Sequence, residues 1–104
     1  MLRGLKKAVW VLTLGALSGV VGCGPVMYSL GVAGASEAVE QARQAGAAES
    51  APYEYHYAVE HLNQAREFAN EAEYQTADEM ATIAEEYGNR ARDIARRRQR
   101  ERGR

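Results

Sequence analysis

Residues 52–94 read PYEYHYAVEHLNQAREFANEAEYQTADEMATIAEEYGNRARDI, and their spacing decides the fold. Tyr55, Ala58, Leu62, Ala65, Ala69 and Ala72 advance by steps of 3, 4, 3, 4 and 3. Val59 and Phe68 widen that stripe. Ala77, Met80, Ala84, Tyr87, Ala91 and Ile94 then advance by the same steps. This is the period of an apolar face on an α-helix. Between the stripes lie Tyr74, Gln75 and Thr76, which read as a turn. Thr76 and Glu79 make the T-x-x-E pattern in which each side chain satisfies a backbone donor at the other's position. A turn this short joins only antiparallel neighbours. Ala58, Ala65 and Ala72 recur every seven residues, as do Ala77, Ala84 and Ala91, so small positions alternate with large ones and the helices can approach closely.

Upstream of the hairpin, Ser50-Ala51-Pro52 is a stop-and-start signal, because proline in a first turn gives up only an N–H that would go unpaired anyway. Before it, Ser36 can cap a helix over residues 37–48, with Ala35, Val39 (or Ala38), Ala42 and Ala45 on one face. Gly46 weakens its end by about 1 kcal/mol relative to alanine. The expected fold is all-α: an antiparallel helical hairpin with a shorter preceding helix, a small three-helix arrangement over residues 36–95. Gly24, Pro25, Gly31 and Gly34 mark residues 23–35 as a flexible tether. After Ala95 the sequence RRRQRERGR offers nothing to bury, so residues 96–104 read as a solvated arginine-rich tail.

The 104 residues suffice for one small domain. A chain that is 46% hydrophobic and 26% charged fits neither a disordered chain nor a fibre. The net charge of −1 hides a division. Residues 37–86 carry twelve acids against Arg43 and Arg66, a net of −10, while residues 87–104 carry eight arginines against Asp93 and Glu101, a net of +6. Glu86 with Arg90, and Asp93 with Arg97, stand in the favourable i,i+4 order. One cysteine, Cys23, excludes an internal disulfide and a cysteine-based zinc site.

Arg3, Lys6 and Lys7 precede the uncharged run AVWVLTLGALSGVV, residues 8–21. Fourteen residues make about 21 Å of helix, short of the roughly 30 Å hydrocarbon core, which suits a secretory signal better than a permanent span. The run ends in Val20-Val21-Gly22-Cys23, which resembles the lipobox of bacterial lipoproteins. That resemblance implies a signal peptide over residues 1–22, cleavage between Gly22 and Cys23, and acyl chains (palmitate among them) on Cys23. Two or three chains at about 0.8 kcal/mol per buried CH₂ give a stable membrane anchor. Gly24 after the cysteine implies sorting to the outer membrane, facing the periplasm.

Residues 36–95 resemble a family of small alanine-rich periplasmic lipoproteins whose shared domain has no assigned function. The resemblance lies in Ala42 through Gly46-Ala47, in Ala51-Pro52-Tyr53-Glu54, and in Ala58, Leu62, Ala65, Ala72, Tyr74, Ala77, Ala84 and Ala91. Relatives of that kind often carry the domain beside an OmpA-like, peptidoglycan-binding one, which implies wall contact. The hairpin also resembles a single tetratricopeptide unit through Phe68, Tyr74, Ala77 and Ala84, although Gln64 stands where leucine is usual.

No nucleophile has a base beside it, and no glycine-rich loop follows a strand, so no enzyme activity and no cofactor is expected. His56 and His61 stand about 140° apart around a helix, the pattern of two surface histidines rather than a metal pair, even with Glu60 near His56. Tyr53 and Tyr57 are i,i+4 neighbours; with Tyr55 they suit either packing on the preceding helix or a partner-binding surface of large area and low entropic cost. Arg96, Arg97 and Arg98 suit an anionic envelope polymer or surface, since export removes nucleic acid as a partner. The function these readings favour is a non-enzymatic outer-membrane lipoprotein serving as a periplasmic protein-interaction or scaffold module, with an envelope protein or itself as partner. The alternative is a cell-wall tether that binds peptidoglycan.

Overall fold

The computed structural model describes residues 23–103. Residues 1–22, which hold the basic start, the apolar run and Gly22, lie outside the described residues, as does the side chain of Cys23. The described chain forms α1 (Cys23–Gln44), the single turn α2 (Ala47–Ser50), α3 (Pro52–Asn70) and α4 (Tyr74–Arg102). The fold is all-α, a helical hairpin of α3 and α4 with a preceding helix packed on it.

Contacts along the helices fix their directions. Gly24 lies against Tyr74, Ala38 against Gly88, Gln41 against Arg92 and Ala45 against Gln99, so α1 and α4 run parallel. Tyr57 stacks on Tyr87, and the chain reverses after Asn70, so α3 runs antiparallel to α4. α4 therefore has a seam on each side. Its buried residues are Ala77, Ala81, Ala84, Gly88, Ala91 and Ala95, in steps of 4, 3, 4, 3 and 4. They meet Ala35, Ala38 and Ala42 of α1 and Ala58, Leu62 and Ala65 of α3, all buried. Leu62 is the one large side chain in this set. Alanine contributes little area per residue but gives up no rotamer freedom on burial, which is how a thin bundle holds together with methyl groups.

The second hairpin stripe differs from the expected one in register. Met80, Tyr87 and Ile94 are half-buried at the flank, while Ala81, Gly88 and Ala95 take the centre. Tyr55 and Ala69 are likewise half-buried, and Ala72 is exposed. Two seams on one helix need small residues at both heptad positions, so the larger residues move outward.

The expected tether is helix instead. α1 begins at Cys23, and with 22 residues it exceeds the 19 of α3, so the preceding helix is not short. The glycines read as punctuation are contact points. A Cβ on Gly31 would lie 2.6 Å from Asp78 Oδ1, and one on Gly34 3.0 Å from Glu85 Oε2. Tyr28 meets Tyr74 with ring centroids 6.1 Å apart. Packing on α4 outweighs the cost of about 1 kcal/mol for each helical glycine. Pro25 falls in the first turn, where it is tolerated.

The turns also differ from the expected ones. α1 ends at Gln44 because Gly46, at φ +77°, turns the chain into the left-handed region. α3 ends at Asn70, where Glu73 N–H donates to Phe68 O at 2.9 Å and Ala72 N–H to Ala69 O at 3.0 Å. This is a Schellman ending with Ala72, at φ +60°, in the position glycine usually takes. The turn is therefore Glu71-Ala72-Glu73, α4 starts at Tyr74, and Thr76 lies inside the helix, so the Thr76–Glu79 capping box does not form. At the other end α4 continues through Arg102, not fraying after Ala95. Arginine propagates a helix well, and cations suit its C-terminal dipole.

Candidate functional site

Besides the Tyr28–Tyr74 pair, the described residues include a larger aromatic cluster that spans two helices, on the outer side of the α3–α4 seam. Pro52 starts α3, which places Tyr53 and Tyr57 in its first two turns, one above the other. Their rings stack with centroids 5.9 Å apart. Tyr57 continues onto His61 at 4.1 Å and across the seam onto Tyr87 at 4.3 Å. His61 Nδ1 lies 2.8 Å from Tyr57 O, which fixes the imidazole against the tyrosine ring. The Arg90 guanidinium stands over the Tyr87 ring at 4.6 Å, and Arg90 is itself held by Glu86 at 2.9 Å. Tyr53, His61 and Tyr87 thus all gather on Tyr57, the Tyr87 branch ends in a cation, and Tyr53 is 66% exposed. Pro52, Tyr53, His56, Tyr57 and Glu60 line a shallow, open depression of about 330 Å³.

Neither open reading of the tyrosines holds for all three. Tyr55 packs inward against Ala42, Ala47, Ala51, Ala91 and Ala95. Tyr53 and Tyr57 instead lie along the hairpin's outer side. Tyr87, placed in the core stripe by its spacing, completes the cluster, and Arg90 was read only as a partner for Glu86. The i,i+3 step from Tyr87 to Arg90 is the local signal for the cation over the ring, whereas nothing local reports that Tyr87 meets Tyr57.

Arg96, Arg97 and Arg98 are exposed on the last turns of α4, with Arg100 and Arg102 beyond them. Among the described residues, none of these five has a carboxylate within 4.0 Å. The expected Asp93–Arg97 pair does not form; Asp93 accepts from Arg92 Nε at 3.0 Å instead. Gln99 Nε2 donates to Ala45 O at 2.7 Å and satisfies a carbonyl left over at the end of α1. His56 is exposed and lies edge-on to Tyr55 at 5.3 Å. Among the described residues, no three His, Cys, Asp or Glu side chains are placed to hold a metal ion, and no helix is long and apolar enough to cross a membrane.

Cys23 is the first residue of α1, at the pole of the bundle that also holds Tyr74 and the α3–α4 turn. Three residues just after it, Val26, Met27 and Leu30, are 55%, 59% and 67% exposed. The first charged residue of α1 is Glu37. Leu30 and its neighbours form an apolar flank that the other described helices do not cover.

The fold and these surfaces define a small three-helix, alanine-seamed bundle with an aromatic seam, an apolar flank and an arginine-rich end. Residues 32–104 match the family model described as Domain of unknown function (DUF4398), and the chain belongs to that family. The matched range takes in the arginine-rich end, which therefore belongs to the domain. No curated protein and no solved structure matches the chain.

Proposed function

We propose that the protein is a non-enzymatic interaction module of the bacterial envelope, anchored through acylated Cys23 in the outer membrane and facing the periplasm. It docks an envelope protein or a second copy of itself through the Tyr53–Tyr57–Tyr87 seam. The observation that carries this reading is the stack itself, a large aromatic surface already ordered by His61 and Arg90 and open at Tyr53. Pre-ordered tyrosines lose little freedom on binding, and such residues dominate interface energetics. Val26, Met27 and Leu30 support the anchor, because an apolar flank beside an acylated residue rests favourably at a lipid interface.

A photo-reactive residue in place of Tyr53 in the full-length protein, irradiated in cells, tests the docking reading. The expected result is a discrete adduct that disappears with Tyr57→Asp while the helical circular dichroism is kept. Diffuse labelling or none overturns it. The anchor is tested separately: the mature mass is expected to include acyl chains, and Cys23→Ser is expected to release the protein from the membrane fraction.

The five arginines, which have no carboxylate partner among the described residues, favour a second reading, a tether to peptidoglycan. It predicts co-sedimentation with cell-wall sacculi that is lost on deleting residues 96–104 and weakens steeply with salt.

A further inference from the structure

Along the face that carries the tyrosine stack, charge is arranged in a self-complementary way. On α3 the outer stripe is Tyr53, Tyr57, Glu60, Gln64 and Glu67, in steps of 4, 3, 4 and 3, and Glu71 just past the helix end continues it. On α4 it is Ile83, Tyr87, Arg90, Ile94, Arg97 and Glu101, again in steps of 4, 3, 4, 3 and 4. Ile83, Tyr87 and Ile94 are half-buried in the single bundle, so they keep area to cover. The middle residue of the 29-residue α4 is Gly88, which puts the Tyr57–Tyr87 pair at the centre of the hairpin's length. Arg97 lies ten residues beyond Tyr87, about 15 Å along the axis. In the other direction, the same face holds Glu67, ten residues from Tyr57 on α3, and Glu79, eight residues before Tyr87 on α4, with Glu71 and Glu73 at the turn. All four acids are exposed, and among the described residues none is in an ion pair. Arg66 is the one base at that end, and it donates to Ser36 Oγ at 3.3 Å. At the arginine end the acids are Glu101, Asp93, which is already paired with Arg92, and, on α2, Glu49.

We propose that the occupant of the tyrosine seam is a second copy of this chain, packed antiparallel about a two-fold axis at the Tyr57–Tyr87 pair. This rests on reading the seam as a docking surface. A two-fold interface must be complementary to itself, with each residue meeting the other copy's counterpart on the opposite side of the axis. The antiparallel arrangement satisfies this twice: tyrosine stacks meet at the centre, and each arginine end lies over Glu67, Glu71, Glu73 and Glu79 of the other copy. A parallel arrangement sets Arg97 and its neighbour Arg98 against their own counterparts and acids against acids, and like charges so placed oppose association. Charge thus selects the direction of pairing, while aromatic and isoleucine area drives it.

The test uses the full-length protein in cells, with a photo-reactive phenylalanine derivative in place of Glu101, an exposed residue of the stripe whose loss leaves every arginine in place. The expected result is an adduct of twice the chain's mass whose cross-linked peptides map to residues 67–79. Combined Arg97→Glu and Arg98→Glu is expected to lower its yield about tenfold, because like charges then face each other. Adding Glu67→Arg and Glu79→Arg to that variant restores it, which separates lost pairing from misfolding. Adducts that map to residues 90–104, a failure of the reversed charges to restore the yield, or capture of a different protein overturn the antiparallel pair. Capture of a different protein from the Tyr53 position leaves the docking reading standing, whereas no adduct from either position removes both.

Discussion

At Gly88 α4 comes close to the α1 backbone: a Cβ there would lie 3.0 Å from both the carbonyl carbon and the Cβ of Ala38. Helix propensity alone favours Gly88→Ala by about 1 kcal/mol. The methyl group meets backbone rather than a movable side chain, so the variant is expected to be less stable, by about 1–3 kcal/mol in chemical denaturation. Ala72 poses the reverse case. It holds a left-handed conformation at the Schellman position, and Ala72→Gly is expected to raise stability by about 1 kcal/mol, read as a higher Tm. Leu62, only 5% exposed, fills the centre between α3 and its neighbours, and Leu62→Ala is expected to cost about 2–5 kcal/mol.

At the level of the helices, the sequence showed the hairpin plainly and misplaced its edges. The 3–4 spacing from Tyr55 to Leu62 and from Ala77 to Ile94 was enough to give two antiparallel helices. It did not reveal that α4 has two seams, because a stripe of small residues and a stripe of large ones both keep that spacing, and only packing shows which is central. Residues 23–35 depart from the expected tether for a related reason. Glycine breaks helices by local propensity, and nothing local reports that Asp78 and Glu85 lie over Gly31 and Gly34. Tyr53 and Tyr57 were legible as candidates, whereas Tyr87 was not, because its membership depends on how α4 is rotated. The helix ends also carry a pH-dependent element. Arg43, whose Nε donates to Glu40 at 2.9 Å, holds the Glu40 carboxyl below its usual range. A carboxyl lowered by folding stabilises above its ordinary pKa, and the contribution is lost as pH falls through the folded value. The Tm difference between the natural chain and Glu40→Gln is therefore expected to shrink as pH is lowered from about 6 to about 3. The pair is on the surface, so the difference is small throughout.

For the whole molecule, the parallel course of α1 and α4 sets Cys23 and Arg102 at opposite ends of a helix about 43 Å long. An antiparallel pair then carries its two Cys23 residues at opposite ends as well. If both acyl groups enter one bilayer, the long axis lies along the surface, with neither bundle standing upright. Neutron reflectometry of the acylated protein on a supported bilayer is expected to show a layer thinner than the helix length. A layer near 43 Å would mean that the bundles stand upright and the pair does not form on that membrane.

The close contact at Gly88 also has a kinetic side. Seams of methyl groups repeating every seven residues are nearly the same after a slide of one heptad, so α1 could lie against α4 one repeat too high or too low and still meet alanine. The natural alignment sets Ala38 against the one seam position that has no methyl. Sliding by seven brings Ala38 to Ala81 or Ala95, where a methyl stands in the gap. Gly88 thus acts as a keyhole among otherwise interchangeable notches, and filling it would remove the feature that tells one alignment from the next. A chain with Gly88→Ala would then divide among shifted alignments as it folds.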